Sequence, residues 1–348
     1  MPTLETILAG VIVVSLMWYV LTGGADFGVG IWHLTARGPH AARQRRLIAD
    51  AIGPIWEANH VWLIIAVTVL FTAFPRAFAA ITTTLHIPLT LMLIGIVLRG
   101  SSFALSSHAV DRGETSRAQP VFAASSLITP LWLGVTIGTL ASGRMGGGAA
   151  SFREGFVDPW SAPFPFAVGA LTIALFAYLA AVYLTLEARE DDLRADFRRR
   201  ALIAWVVFAL MAWGVFEWAA TGAPVIRERF HLFWWGRPLV IGAAALSLGA
   251  LAALWTRHYR LARVCAAGQA AVVVGGWALA QFPYLVVPNL TVTNAAAPAT
   301  TLRLLLAVLV IGGVILFPAL YYLYRIFKGG VIMGKPGQRP SSSDHRTG

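Results

Sequence analysis

The chain has 348 residues, of which 57% are hydrophobic and 12% charged, where an ordinary globular domain carries roughly 45–50% and about 25%. That balance excludes a soluble enzyme, a disordered chain and a disulfide scaffold. The formal net charge of +11 would raise the question of nucleic acid in a soluble protein, but no nucleic-acid motif is present, and in a membrane chain basic loops report orientation.

The apolar residues fall in runs close to the roughly 20 residues a helix needs to cross a bilayer. In chain order they predict spans at 4–34, 51–73, 78–105, 121–141, 163–187, 201–222, 238–255, 262–281 and 300–325. The runs are long and continuous, unlike the strands of about ten alternating residues in a membrane barrel. Residues Met1 to Glu5 lack a basic n-region, so the first run is expected to remain in the mature chain. Its polar end, Thr22 to Thr35, is expected to continue as helix beyond the hydrocarbon. The single cysteine, Cys265, lies in an apolar run and has no partner for an internal disulfide.

With nine spans, the Lys and Arg residues divide twenty against seven between the two sets of connections. The richer set includes Arg37, Arg43, Arg45, Arg46, Arg189, Arg194, Arg198, Arg199 and Arg200. The positive-inside rule then places the N-terminus outside and the C-terminus in the cytoplasm. The expectation is an all-α polytopic membrane protein with one transmembrane domain over 1–328. Its helices would lie at about 1–141 (helices 1 to 4), 163–281 (helices 5 to 8) and 300–325 (helix 9), with a disordered cytoplasmic tail at 329–348. Two four-helix bundles plus a ninth helix fit that count.

Ionisable groups at membrane depth are costly and face protein or water. Asp26 lies in the glycine-rich stretch Thr22-Gly23-Gly24-Ala25-Asp26-Phe27-Gly28-Val29-Gly30 and shares a helix face with His33, two turns on. The glycines allow another helix to come close, and Asp26 reads equally as a tie to such a neighbour. The second segment, Gly53-Pro54-Ile55-Trp56-Glu57-Ala58-Asn59-His60-Val61-Trp62, is the densest. Glu57 and His60 are neighbours on one face. A Glu-x-x-His pair matches half of a di-iron bundle site, which needs a second pair and two more carboxylates; no second pair is found. Arg99, near the inner end of the third span, either joins this polar group or snorkels to headgroups. Asp26, Glu57 and Arg99 should lie at similar depth on three consecutive helices, as a proton relay or as a buried ion-pair network. His86 is expected to satisfy carbonyls freed by Pro88, Glu217 to be solvated or paired, and Phe230 to Trp235 to form an interfacial belt.

The stretch from Gly24 to Gly30, the Gly53-to-Ile64 motif, Leu98-Arg99-Gly100 and the segment from Phe282-Pro283 through Asn294 together resemble subunit II of the cytochrome bd quinol oxidases, over nearly the whole chain. The Glu57-Ala58-Asn59-His60 version is most similar to the cyanide-insensitive branch. The resemblance implies nine helices in two four-helix bundles with a peripheral helix, in the bacterial inner membrane. It implies a heterodimer with subunit I, which would carry haem b, haem d and the quinol-oxidising loop, and it leaves room for a small accessory subunit and for a structural quinone or lipid. No cofactor or metal is assigned to this chain. By residue match, Glu57, Asp26 and Arg99 would belong to a proton pathway extended by Asn59 and His60, and Trp62 to an oxygen access channel. One departure is Gly23, which stands where many members carry a further acid. A standalone secondary transporter, which would favour broken helices and midplane charges, and a haem-binding cytochrome with ligands such as His60, His86, Met92 or Met211 are the alternatives.

Overall fold

The computed structural model describes residues 3–52, 56–111, 118–145 and 150–329; the side chains of 52, 56–57, 106–111, 324 and 326–329 lie outside the described set. Helix α1, Leu4–Leu34, starts where the Thr3 hydroxyl accepts from the Thr6 amide, an N-cap that satisfies one of the free amides of the first turn. The chain then forms α2 (Ala41–Ile52), α3 (Trp56–Ala73), α4 (Pro75–Thr84) and α5 (His86–Asp111). Helix α6, Gln119–Ser142, opens with Pro120 in its first turn and closes on Gly143 in the left-handed region at φ 75°, the usual proline–glycine asymmetry of helix ends. After α7 (Phe152–Phe156) come α8 (Pro163–Glu187) and α9 (Asp191–Gly222). The first turn of α9 holds Asp191 and Asp192, which complement the positive end of the helix dipole. The chain ends with α10 (Pro224–Leu232), α11 (Gly236–Trp255), α12 (Tyr259–Gln281), a hairpin of β1 (Tyr284–Val286) and β2 (Leu290–Thr291), and α13 (Ala299–Gly329).

Eight of these helices (α1, α5, α6, α8, α9, α11, α12 and α13) are long and apolar enough to cross a bilayer. Two expectations need correction. The predicted span 51–73 mixes two elements: its first residues belong to α2, whose Arg43, Arg45 and Arg46 make it a polar, amphipathic helix, and the apolar part is α3. The predicted span 78–105 also mixes two, because α4 turns away from α3 by 116° and α5 begins only at His86. Pro75 sets the first break by removing an amide and fixing φ. Among the described residues the regular structure is helical apart from the small antiparallel hairpin. The predicted tail falls outside the described residues beyond Gly329.

The described connections gather at two ends. At one, Arg200 donates to the carbonyls of Trp32 and Thr35, Arg43 pairs with Glu190 and Asp192, and Arg198 reaches the carbonyls of Leu254 and Trp255. At the other, the amide of Ala297 donates to the Ala73 carbonyl, that of Val287 to the Leu140 carbonyl, and Arg76 to the Asn294 carbonyl. We call the first the basic end. Helix α8 lies at the centre, packed against α1, α6, α9 and α12, and its residues Phe176 to Val182 are almost wholly buried. Helix α13 packs on α3 and α1 and leaves Leu304, Val308, Ile311 and Ile315 exposed.

The glycines of α1 seat it on α8. A Cβ on Gly28 would lie 1.9 Å from the Phe176 carbonyl oxygen and 2.6 Å from the Ala180 Cβ. Only a residue without a side chain permits this backbone-to-backbone approach, and it fixes the height at which Asp26 sits.

Candidate functional site: a buried polar layer near the basic end

Four helices converge on Asp26, which lies about two turns from the end of α1. From the first turns of α3, Asn59 (2% exposed) donates through its side-chain amide to Asp26 Oδ2. From α5, Arg99 (1% exposed) donates through Nη2 to the main-chain carbonyl of Asp26 at 2.6 Å. The Arg99 guanidinium is held between the rings of Phe27 on α1 and Phe122 on α6, at 4.7 and 5.1 Å from their centroids. A buried cation is costly unless opposite charge, hydrogen bonds and ring faces replace its water. Here the Asp26 carboxylate, the Asp26 carbonyl and the two rings make that replacement. Arg99 Nε has no hydrogen-bond partner among the described residues.

Arg99 therefore does not snorkel; it is part of the protein interior. His60, one residue beyond Asn59, packs edge-on against Tyr19 at 5.9 Å and against Phe27 at 6.1 Å. Tyr19 lies two turns before Asp26 on α1 and is 1% exposed. Trp62, two residues beyond His60, stacks on Trp18 at 5.7 Å and meets Phe317 of α13 at 6.2 Å. Asp26, Asn59, His60 and Arg99 thus share one layer and Trp62 adjoins it, whereas the Glu57 side chain lies outside the described residues.

The other sequence candidates sit elsewhere. His33 packs its ring against Phe122 at 6.0 Å. His86 lies at the opposite end, with Nδ1 2.9 Å from the Thr83 carbonyl at the α4–α5 break; Pro88 stands in the first turn of α5 and frees no intrahelical carbonyl for it, contrary to expectation. Glu217 is paired with Arg227 at 3.0 Å, and Leu232 and Trp234 are exposed as a belt requires. Among the described residues no group of three His, Cys, Asp or Glu side chains could hold a metal ion.

Tyr19, Phe27 and Phe122 were not singled out from the sequence. Tyr19 had a readable signal, since it precedes Asp26 by the same seven residues by which His33 follows it. The two rings around Arg99 had none, because they come from different helices.

An apolar cavity of about 510 Å³ lies among α1, α6, α8, α9, α11 and α12. Two polar groups on its wall, Gln269 Oε1 and Trp277 Nε1, are buried with no hydrogen-bond partner among the described residues. Its described lining includes no His, Met or Cys.

The family profile of cytochrome bd terminal oxidase subunit II matches residues 4–327. A Bacillus subtilis (strain 168) protein, cytochrome bd ubiquinol oxidase subunit 2, is 31% identical over 137 residues, 36% of this chain and 40% of that relative's length. A second protein of that organism, provisionally named a cytochrome bd menaquinol oxidase subunit II, is 24% identical over 336 residues, covering 91% of this chain and 94% of the relative. A chain of the bd oxidase structure from Geobacillus thermodenitrificans superposes with a TM-score of 0.76 at 22% identity, over 94% of this chain and 99% of that one; at that identity the likeness speaks for the fold. The profile match across the transmembrane helices and the buried polar layer lead to one conclusion: the chain belongs to the cytochrome bd terminal oxidase subunit II family, the multi-pass inner-membrane subunits of bacterial respiratory quinol oxidases.

Proposed function

We propose that this chain supports oxygen reduction by delivering protons from the basic end to a haem-bearing subunit I, with which it forms a heterodimer. The observation that carries this reading is the layer in which buried Asn59 and Arg99 both hydrogen-bond to the half-buried Asp26, about two turns from that end. The haems b and d, held by subunit I, supply the electron transfer and the reduction of oxygen to water. This chain's residues hold and pass the protons that the reaction consumes.

Asp26 is the group that can take and release a proton in the layer. Asn59 orients its carboxylate and Arg99 holds its main-chain carbonyl. Glu57 stands one turn before His60 on the entry side of α3 and takes the position of the family's acid, with His60 continuing the polar chain. Gly23 offers no side chain for a further acid, so Asp26 serves as the acid of α1. Trp62, stacked between Trp18 and Phe317, is assigned to the oxygen path.

The same reading counts α3 as a ninth crossing. The sorting of the described connections into two ends supports nine alternating crossings of one transmembrane domain, with the N-terminus outside and the basic end in the cytoplasm. Helices α1, α3, α5 and α6 would form one bundle and α8, α9, α11 and α12 the other, with α13 peripheral. The exposed apolar face of α13 is available to lipid, to subunit I or to a small accessory subunit. A structural quinone or lipid would fit the 510 Å³ cavity, where the Trp277 indole N–H can donate to a carbonyl oxygen. Quinol itself is oxidised on subunit I. The transporter alternative is not favoured, since the charged layer lies toward one end and the family is an oxidase family.

The test is Asn59→Leu in the assembled oxidase. It removes a hydrogen bond to a charged group, worth roughly 1.5–3 kcal/mol, without changing charge. If the layer conducts protons, turnover falls about tenfold or more, since about 1.4 kcal/mol on a barrier is tenfold, at unchanged haem content. Full turnover in that variant would reject the role.

A further inference from the structure

We propose that the cleft at the basic end, between the α1–α2 connection and the start of α9, holds the phosphate headgroup of an anionic phospholipid whose acyl chains run down α9. The cleft has a volume of about 500 Å³. Its wall carries three arginines, Arg37, Arg199 and Arg200, against one carboxylate, Asp196. Asp196 is already engaged: its Oδ2 accepts from Gln44 Nε2 at 3.0 Å and lies 2.9 Å from His40 Nδ1. The neighbouring acids Glu190 and Asp192 are taken by Arg43.

Arg200 is fixed in the wall. It donates to the Trp32 carbonyl, to Thr35 and, at 2.8 Å, to Gln44 Oε1. Arg37 and Arg199 are exposed, and among the described residues neither lies within 4.0 Å of a carboxylate. Two uncommitted guanidiniums at the mouth of a cleft whose own acids are satisfied are suited to a phosphate, which guanidinium binds in a bidentate manner.

The geometry below the cleft favours a lipid over a soluble anion. Ile203 forms the lower lip and is 54% exposed. Val207 and Leu210 continue the same face of α9 and are also exposed, at the i, i+4, i+7 spacing of one helix stripe. The cationic mouth therefore passes directly into an apolar strip, with the arginines at headgroup height and the strip at acyl-chain depth. Basic pockets between transmembrane helices recognise anionic headgroups in this way. The inference needs only that the chain spans a membrane, so it stands or falls separately from the proton route.

The experiment is native mass spectrometry of the intact oxidase in detergent, titrated with phosphatidylglycerol or phosphatidylcholine. The wild type should bind phosphatidylglycerol in preference. The double variant Arg37→Gln/Arg199→Gln should bind it about thirty-fold more weakly, at about 1 kcal/mol per arginine near a charged lipid surface and 1.4 kcal/mol per tenfold. Arg260→Gln, an exposed arginine at the same end outside the cleft, should bind as wild type, and millimolar inorganic phosphate should not displace the lipid. Undiminished phosphatidylglycerol binding in the double variant, or an equal loss in Arg260→Gln, overturns the site. Displacement by inorganic phosphate overturns the lipid as its occupant.

Discussion

Replacing Gly28 by alanine tests the packing on which the polar layer depends. The added Cβ would stand 1.9 Å from the Phe176 carbonyl oxygen and 2.6 Å from the Ala180 Cβ. Carbon and oxygen without a bond between them need more than 3 Å, and the obstacle is main chain that has no rotamer to change. Helix α1 must therefore back away from α8 by about an ångström. Overpacking a tight core costs about 1–3 kcal/mol, and an unyielding partner points to the upper part of that range. Alanine restores about 1 kcal/mol of helix propensity relative to glycine, leaving a net loss of about 2 kcal/mol. Gly10, on the same helix, has nothing within 4 Å of its would-be Cβ, so Gly10→Ala receives the propensity gain alone. Thermal unfolding of the purified oxidase in one detergent should show Gly28→Ala melting below wild type and Gly10→Ala at or above it. Turnover should fall in Gly28→Ala as well, because Asp26 moves with α1. Equal melting temperatures for the two variants would refute the close α1–α8 approach.

Two further outcomes follow from the same geometry. Arg99→Gln removes the cation that donates to the Asp26 carbonyl between the Phe27 and Phe122 rings and should destabilise the complex by about 1.5–3 kcal/mol, the worth of a hydrogen bond to a charged group; Arg99→Lys should recover part of that loss, and a wild-type melting temperature for Arg99→Gln would show that the charge is not needed. Trp62→Ala opens the space between Trp18 and Phe317, so kcat/KM for oxygen should rise at unchanged kcat while stability falls by about 3–5 kcal/mol; oxygen kinetics identical to wild type would remove Trp62 from the oxygen path.

The membrane class and most helix positions were legible because burial in lipid requires an unbroken apolar run. The breaks were not. Ala51 and Ile52 read as the start of a span, yet they end an amphipathic helix whose character is set by Arg43, Arg45 and Arg46. Hydropathy runs almost continuously from Phe78 to Leu105, so a sliding average passes over the break between α4 and α5 that follows the Thr82-Thr83-Thr84 run. Asp26, Asn59 and Arg99 could be grouped by depth, since alternating spans fix which ends coincide. What depth could not supply was the partner atom. Arg99 meets the main-chain carbonyl of Asp26 and two aromatic faces, and such partners leave no mark in the pattern of charged residues.

The central claim is that the buried layer passes protons from the basic end to the site of oxygen reduction. It is tested most directly by time-resolved proton uptake, followed with a pH-sensitive dye while the fully reduced oxidase reacts with oxygen, in Asp26→Asn and Glu57→Gln beside wild type. Both substitutions keep side-chain size and remove the ability to carry a proton. The account predicts that proton uptake and turnover slow together in both variants while the haem spectra stay unchanged. Wild-type uptake rates in a normally assembled Asp26→Asn oxidase would contradict it.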